Sequence, residues 1–205
     1  MRKIAVFISA IAHPLMMPLL AVFIAFNFDW YLAGRLVSDQ ENIIYLIIAM
    51  STIAFPGLNI LLLKWYGVVS ALSMPIRKER SAPFISTLFF FGLGYYLLRK
   101  GNLPHPLYSI YLGCCLVLFV LILINLKWKI SIHAAGIAGV VGSTIGLFQI
   151  HDFSNFWLIA ILIAIAGLTL SARLILSAHT PAQVYAGAVV GFATSYATVV
   201  SEWVI

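Results

Sequence analysis

The sequence predicts an all-α membrane protein, a polytopic bundle of six to seven transmembrane helices that forms a single domain over residues 1–205. Hydrophobic residues make up 63% of the chain and charged residues 9%, whereas a soluble domain carries about 25% charged residues. The mean hydropathy is +1.07. A soluble chain of this length cannot bury so much apolar surface, because small domains leave much of their surface exposed. A soluble domain and a disordered chain are therefore excluded.

Seven apolar stretches are candidates for the spanning helices, since a span needs about 20 apolar residues. They are Ile4–Phe26, Ile43–Leu63, Pro83–Leu98, Leu107–Leu126, His133–Phe148, Phe156–Leu170 and Pro181–Val200. The third, fifth and sixth are short, so the number of spans could fall to six. The first stretch is long enough to span and lacks a convincing small-residue cleavage site, so we interpret it as an uncleaved helix.

The few charges are divided unevenly between the two membrane faces. If the chain crosses at each stretch, the face that holds the N-terminus receives nine of the 12 cations, and we call it the cationic face. Its cations are Arg2, Lys3, Lys64, Arg77, Lys78, Arg80, Lys127, Lys129 and Arg173. By the positive-inside rule this face is cytoplasmic. If four of these cations belong to a binding site, five remain against three on the opposite face, and the assignment weakens.

Three polar segments fall on the cationic face, at residues 75–83, 127–133 and 171–183. An even number of spans separates each pair, so we expect all three to meet at one end of the bundle. Together they hold several cations and two histidines but a single acid, Glu79. This composition is typical of an anion site, most naturally one for phosphate.

The third segment also predicts a helix start. Thr180, Pro181 and Gln183 form a capping box, with Thr at the N-cap and Pro at the first helical position, directly after His179. The free backbone N–H groups of this helix end would point at whatever His179 binds, which suits an anion.

At these residues the chain resembles the type 2 phosphatidic acid phosphatase (PAP2) superfamily. The family pattern is Lys…Arg-Pro, then Pro-Ser-Gly-His, then Ser-Arg-x5-His-x3-Asp. Arg173 and His179 reproduce the Arg-x5-His spacing. Ser131 and His133 keep the Ser-x-His of the second segment, and Arg80 loosely matches the Arg of the first.

The resemblance covers residues 77–191 and implies a PAP2-like core. It implies a phosphatase that acts on a membrane phospholipid or a polyprenyl diphosphate through a phosphohistidine intermediate, with no metal or other cofactor. His179 would be the nucleophile and His133 the general acid. The expected phosphate ligands are Arg173, Arg80, Arg77 and Lys78.

The expected partners are the lipid substrate and the bilayer, with no nucleic acid, and the expected location is a bacterial inner (plasma) membrane. The oligomeric state stays open. So does the side of the membrane: charge favours a cytoplasmic site, whereas bacterial relatives of the superfamily often act at the outer face.

The chain departs from the family pattern next to the nucleophile. The family's Asp, which orients the nucleophilic His and stabilises its charged form, is Gln183 here. An amide accepts an N–H hydrogen bond but supplies no charge, and the equivalent Asp-to-Asn change in the serine-protease triad costs about 10⁴ in rate. Ile130, Ile132 and Ala172 replace the Pro, Gly and Ser of the pattern.

Two alternatives to a phosphatase therefore stay open. One is a PAP2-like protein that binds phosphate-bearing lipids without turnover. The amide of Gln183, in place of the family's Asp, is the reason to consider it. The other is a small transporter or structural subunit that uses its basic face for contact with lipid head groups.

Other polar residues have simpler interpretations. His13, in the first span, lacks a partner cluster and is expected to be a packed histidine at a kink. Lys127 and Lys129 are expected to be topology anchors, and His151 a loop residue on the opposite face. Glu79 is the only acid on the cationic face that could replace the missing Asp.

Overall fold

The structure, a computed structural model, describes residues 1–36, 38–72, 74, 76–101 and 103–201. Pro75, in the first polar segment, lies outside the described residues. Within these ranges the chain consists of helices and connecting turns, with no β-strand. Seven helices are long and apolar enough to cross a membrane. The chain is therefore an all-helical integral membrane protein, as the sequence predicts.

The seven spanning helices differ from the predicted stretches mainly at their ends. They are α1 (Arg2–Phe28), α2 (Ser38–Trp65), α3 (Arg77–Lys100), α4 (His105–Asn125), α5 (Ile132–Ile150), α6 (Phe156–Ile175) and α7 (Pro181–Val200). The stretches that looked short, α3, α5 and α6, are 24, 19 and 20 residues long. These helices continue through polar residues such as Ser81 and Arg173, which hydropathy alone leaves outside. The described chain thus has seven candidate spans rather than six.

The first span is broken in its middle. A 3₁₀ turn over Pro14–Met16 separates the helical halves Arg2–Ile11 and Met17–Phe28. The break lies at Pro14 because its ring nitrogen has no N–H to continue the helical ladder. His13 is the N-cap of this turn, and its Nδ1 accepts a hydrogen bond from the Leu15 N–H at 3.4 Å.

Helix α5 lies at the centre of the bundle, since 72% of its most apolar stretch is buried, against 17% for α6. It packs against α4, α6, α7 and the second half of α1. Glycines permit backbone-to-backbone contact with α7: a Cβ atom on Gly142 or Gly187 would lie 2.5 Å from the carbonyl oxygen of Phe192 or Ser131. Such close approach holds helices together in lipid, where no hydrophobic force does so.

A buried hydrogen bond between a histidine and a carboxylate ties the opposite face together. The Nδ1 atom of His151, at the end of α5, lies 2.6 Å from a carboxylate oxygen of Asp29, just after α1. Asp29 also accepts the backbone N–H of Leu32 at 2.9 Å, and the Tyr31 ring lies against His151. His151 is therefore more than the loop residue expected from the sequence, because it joins two helix ends.

Candidate functional site

Hydrogen bonds join the three polar segments at the cationic face. The guanidinium of Arg80 donates to the carbonyl oxygen of Ile130 at 3.4 Å, which links the first segment to the second. The backbone N–H of Ser131 donates to the carbonyl oxygen of Gln183 at 3.2 Å, which links the second to the third. The segments therefore meet at one end of the bundle, as their positions in the chain predict.

Four of the predicted site residues line one cavity beside these segments: Arg80, His133, Arg173 and His179. The cavity has a volume of about 930 Å³ and continues into the bundle. Arg80 and His179 are only 5% and 8% exposed, so their polar groups are held within the protein. No Asp or Glu of the described ranges lines the cavity, which leaves its polar end cationic and neutral.

The nucleophile candidate is oriented by the capping box of α7. The Oε1 atom of Gln183 accepts the backbone N–H of Thr180 at 3.1 Å and lies 3.2 Å from Nδ1 of His179. Since Thr180 N–H can only donate, that side-chain atom must be the amide oxygen. The His179 ring therefore donates from Nδ1, which leaves a lone pair on Nε2. The capping box predicted from the sequence is confirmed.

The surroundings of His179 keep its ring neutral. Burial lowers the pKa of His179 to about 4, assisted by the positive charges of Arg80, Arg173 and Lys129, while the hydrogen bond to Gln183 acts in the opposite direction. A neutral ring at pH 7 is the form that can attack phosphorus.

Lys129 is a residue of the site that the sequence did not single out. It lines a shallow surface pocket together with His179, Thr180 and Gln183. Burial, followed by the charges of Arg80 and Arg173, lowers the pKa of Lys129. Its position in the second polar segment was the available signal, but lysines in such connectors usually serve as topology anchors.

Two side-chain nitrogen atoms at the cavity wall are buried without a hydrogen bond to any described residue. They are Nδ1 of His133 and Nε of Arg173. Buried polar groups are nearly always paired, so these two nitrogen atoms are available to a ligand in the cavity. The His133 ring also lies edge-on to the ring of His13, with 5.7 Å between ring centroids. His13 therefore has the partner cluster that the sequence analysis did not find.

Arg77 and Lys78 are not brought to the cavity. The guanidinium of Arg77 donates to the carbonyl oxygens of Asn125 (2.6 Å) and Leu126, where it caps the end of α4. The side chain of Lys78 is exposed at the surface. Of the six predicted catalytic and phosphate-binding residues, the structure gathers four and leaves these two outside.

Glu79 is occupied elsewhere. Its carboxylate accepts hydrogen bonds from the backbone N–H and the hydroxyl of Ser70, at 3.1 and 2.7 Å. These bonds fasten the connector between α2 and α3. The residue next to His179 is Gln183 instead.

Comparison of the chain with protein-family models, with curated proteins and with solved structures finds no significant match. The case for a function therefore rests on the residues of the cavity and on their geometry.

Proposed function

We propose that the protein is a phosphatase with a PAP2-like core, which removes phosphate from a lipid phosphate or polyprenyl diphosphate at one face of a bacterial inner membrane. The convergence of Arg80, His133, Arg173 and His179 on one cavity carries the proposal. These residues come from three segments far apart in the chain, and they are the ones that match the family pattern. An accidental resemblance would have no reason to place them together.

The polar end of the cavity suits a phosphoryl group. Phosphoryl transfer depends mainly on positioning and on stabilisation of charge spread over the phosphate oxygens. Arg173 has a buried Nε–H that is free for a ligand, and Arg80 is held in place by the carbonyl oxygen of Ile130. Lys129 adds a third positive charge near His179.

The proposed reaction has two steps. The lone pair on Nε2 of His179 attacks phosphorus, an N–P bond forms, and the P–O bond to the leaving group breaks as His133 donates a proton to the leaving oxygen. A water molecule then attacks the phosphohistidine, His133 takes the proton of that water, and the N–P bond breaks to release inorganic phosphate. His179 returns to its starting form, so atoms and protons balance over the cycle.

The apolar part of the cavity supports a lipid as the substrate. Beyond the polar residues, the cavity is lined by side chains of α3 and α4 that include Phe84, Phe91, Val117 and Leu121. Its volume of about 930 Å³ lies at the upper end of the range of small-molecule sites, about 300–1,000 Å³. A small water-soluble phosphate would occupy only the polar end of the cavity, whereas the chain of a lipid would also occupy the apolar part.

Gln183 distinguishes the phosphatase from a protein that only binds phosphate-bearing lipids. Its amide oxygen reproduces the orienting part of the family's Asp, because it selects the tautomer with a free Nε2. It does not supply a negative charge to stabilise the imidazolium. We therefore expect turnover that is slower than a carboxylate would allow.

The test is phosphate release by purified protein in detergent from phosphatidic acid, phosphatidylglycerophosphate and undecaprenyl diphosphate. We expect release that His179→Ala abolishes and that His105→Ala, in a histidine at the start of α4 on the opposite face, leaves unchanged. Release that survives His179→Ala would refute the proposal. No release from any lipid, with binding of a phosphate lipid that Arg173→Ala removes, would identify the binding protein instead.

A further inference from the structure

The first helix contributes two polar residues to the same cavity, outside the three polar segments. Ser9 and His13 lie four residues apart on α1 and both line the cavity. Ser9 is in the first helical half, and His13 follows that half at the break before Pro14. The half of α1 that carries Ser9 packs against α6, the helix that carries Arg173. The break at Pro14 thus leaves this half of α1 as a wall of the polar end.

Ser9 is a buried group without a partner. Its side chain is 7% exposed, and its hydroxyl makes no hydrogen bond with any residue in the described ranges. Burying a hydroxyl without a partner is unfavourable. Such a cost is expected where a ligand supplies the missing acceptor.

His13 offers a second donor. Its Nδ1 accepts the backbone N–H of Leu15, so the proton of the neutral ring is on Nε2. The ring lies edge-on to His133, and the charge of Arg173 acts on it. His179 lines the same cavity as these two rings. With His179 as nucleophile and His133 as general acid, Ser9 and His13 flank the general acid, next to the leaving oxygen.

The chemistry of this pair indicates what the leaving group carries. In a lipid monophosphate the leaving oxygen is followed directly by the carbon chain, which would offer neither donor an anionic acceptor. No carboxylate of the described residues lines the cavity, so an anionic acceptor for these donors would come from the ligand. An N–H and an O–H donor, close to Arg173, suit a second phosphate.

We propose that Ser9 and His13 bind the chain-side phosphate of a lipid diphosphate, so that the site selects a lipid diphosphate over a lipid monophosphate with the same chain. The inference rests on the proposed function. His179 attacks the terminal phosphorus, and the bond between that phosphorus and the bridging oxygen breaks. The lipid monophosphate leaves with the bridging oxygen, which is protonated by His133, and water releases the terminal phosphate from His179.

The test compares kcat/KM for farnesyl diphosphate and farnesyl monophosphate in the wild type, Ser9→Ala and His13→Asn. Asn is a good N-cap, so His13→Asn keeps the cap of the 3₁₀ turn. It removes the imidazole ring and with it the Nε2–H donor. Loss of one hydrogen bond to a charged group is expected to lower kcat/KM for the diphosphate about 10- to 100-fold. The value for the monophosphate is expected to stay the same.

Ser109→Ala is the matched control. Ser109 is also a buried serine whose hydroxyl has no hydrogen bond within the described ranges, but it does not line the cavity. We expect Ser109→Ala to leave kcat/KM unchanged for both substrates. Equal loss on both substrates, no loss in either α1 variant, or a wild type without preference for the diphosphate would overturn the inference and leave the proposed function standing.

Failure of the proposed function is recognised separately, by wild-type protein that releases phosphate from neither lipid or by release that survives His179→Ala. The inference is then decided by binding to the His179→Ala protein. The probes are a farnesyl methylenediphosphonate and a farnesyl phosphonate, whose P–C bonds resist hydrolysis. The measured quantity is the Kd of the phosphonate divided by the Kd of the methylenediphosphonate. A fall in this ratio when Ser9→Ala is added supports the subsite, and an unchanged ratio refutes it.

Discussion

Gln183→Asp places a negative charge next to the proposed nucleophile. Gln183 Oε1 and His179 Nδ1 are 3.2 Å apart, a separation at which a carboxylate raises the pKa of a histidine by about 1–3 units. The pKa of His179 is now lowered to about 4 by burial and by its positive neighbours. The new carboxylate would also stabilise the imidazolium that develops as the N–P bond forms. The corresponding charge is worth about 10⁴ in the serine-protease triad, which gives an upper bound for the gain.

We expect Gln183→Asp to raise kcat for phosphate release about 10- to 1,000-fold, below that bound because Asp is one methylene shorter than Gln. The pH profile provides a second readout. Only neutral His179 attacks, so kcat/KM falls as the pH falls through its pKa. The wild type should keep its activity down to about pH 4, and the variant should lose activity at a pH about 1–3 units higher.

Gln183→Glu is the control that preserves side-chain length and still adds the charge. It is expected to move the acid limb in the same direction as Gln183→Asp. If both folded variants release phosphate no faster than the wild type and their acid limbs stay near pH 4, the amide does not limit the reaction. The roles assigned to His179 and Gln183 would then be wrong.

Three further substitutions test the fold and the site. Arg80→Lys keeps the charge but loses the fork that holds the Ile130 carbonyl, so kcat/KM for phosphate release should fall about 10- to 100-fold. Gly142→Ala places a Cβ atom against the α7 backbone and should lower the unfolding free energy by about 1–3 kcal/mol in a detergent unfolding assay; Gly167→Ala, with nothing within 4 Å, should not. His151→Ala removes one of the hydrogen-bond partners of the buried Asp29 carboxylate, which should cost about 1–3 kcal/mol of stability without changing KM.

The sequence predicts the spans, because hydropathy reports directly on which segments face lipid. The order of the spans then predicts the membrane face on which each connector lies. It also predicts that the three polar segments meet, since an even number of spans between two segments places both at the same membrane face. It does not separate Arg77 from Arg80, which are neighbours of the same charge. A 3₁₀ turn directs one towards the end of α4 and the other to the cavity wall.

Contacts between distant parts of the chain are the features that sequence spacing misses. His13 meets His133 although three helices separate them in the chain, and Asp29 meets His151 at the opposite face. Each of these residues looks isolated along the chain, because its partner is more than a hundred positions away. An apolar neighbourhood and a nearby proline were the only signals for His13, and both also fit a structural kink.

The capping box of α7 links folding to reactivity through a single atom. The same oxygen of Gln183 closes the first turn of the helix and selects the tautomer of His179. When that turn frays, the His179 ring loses the hydrogen bond that selects its tautomer and samples both tautomers. In the proposed mechanism, Nε2 is then free to attack in only part of the population. Conditions that loosen this helix end, such as a thinner bilayer or a harsher detergent, would lower the reactive fraction of the protein before they unfold it.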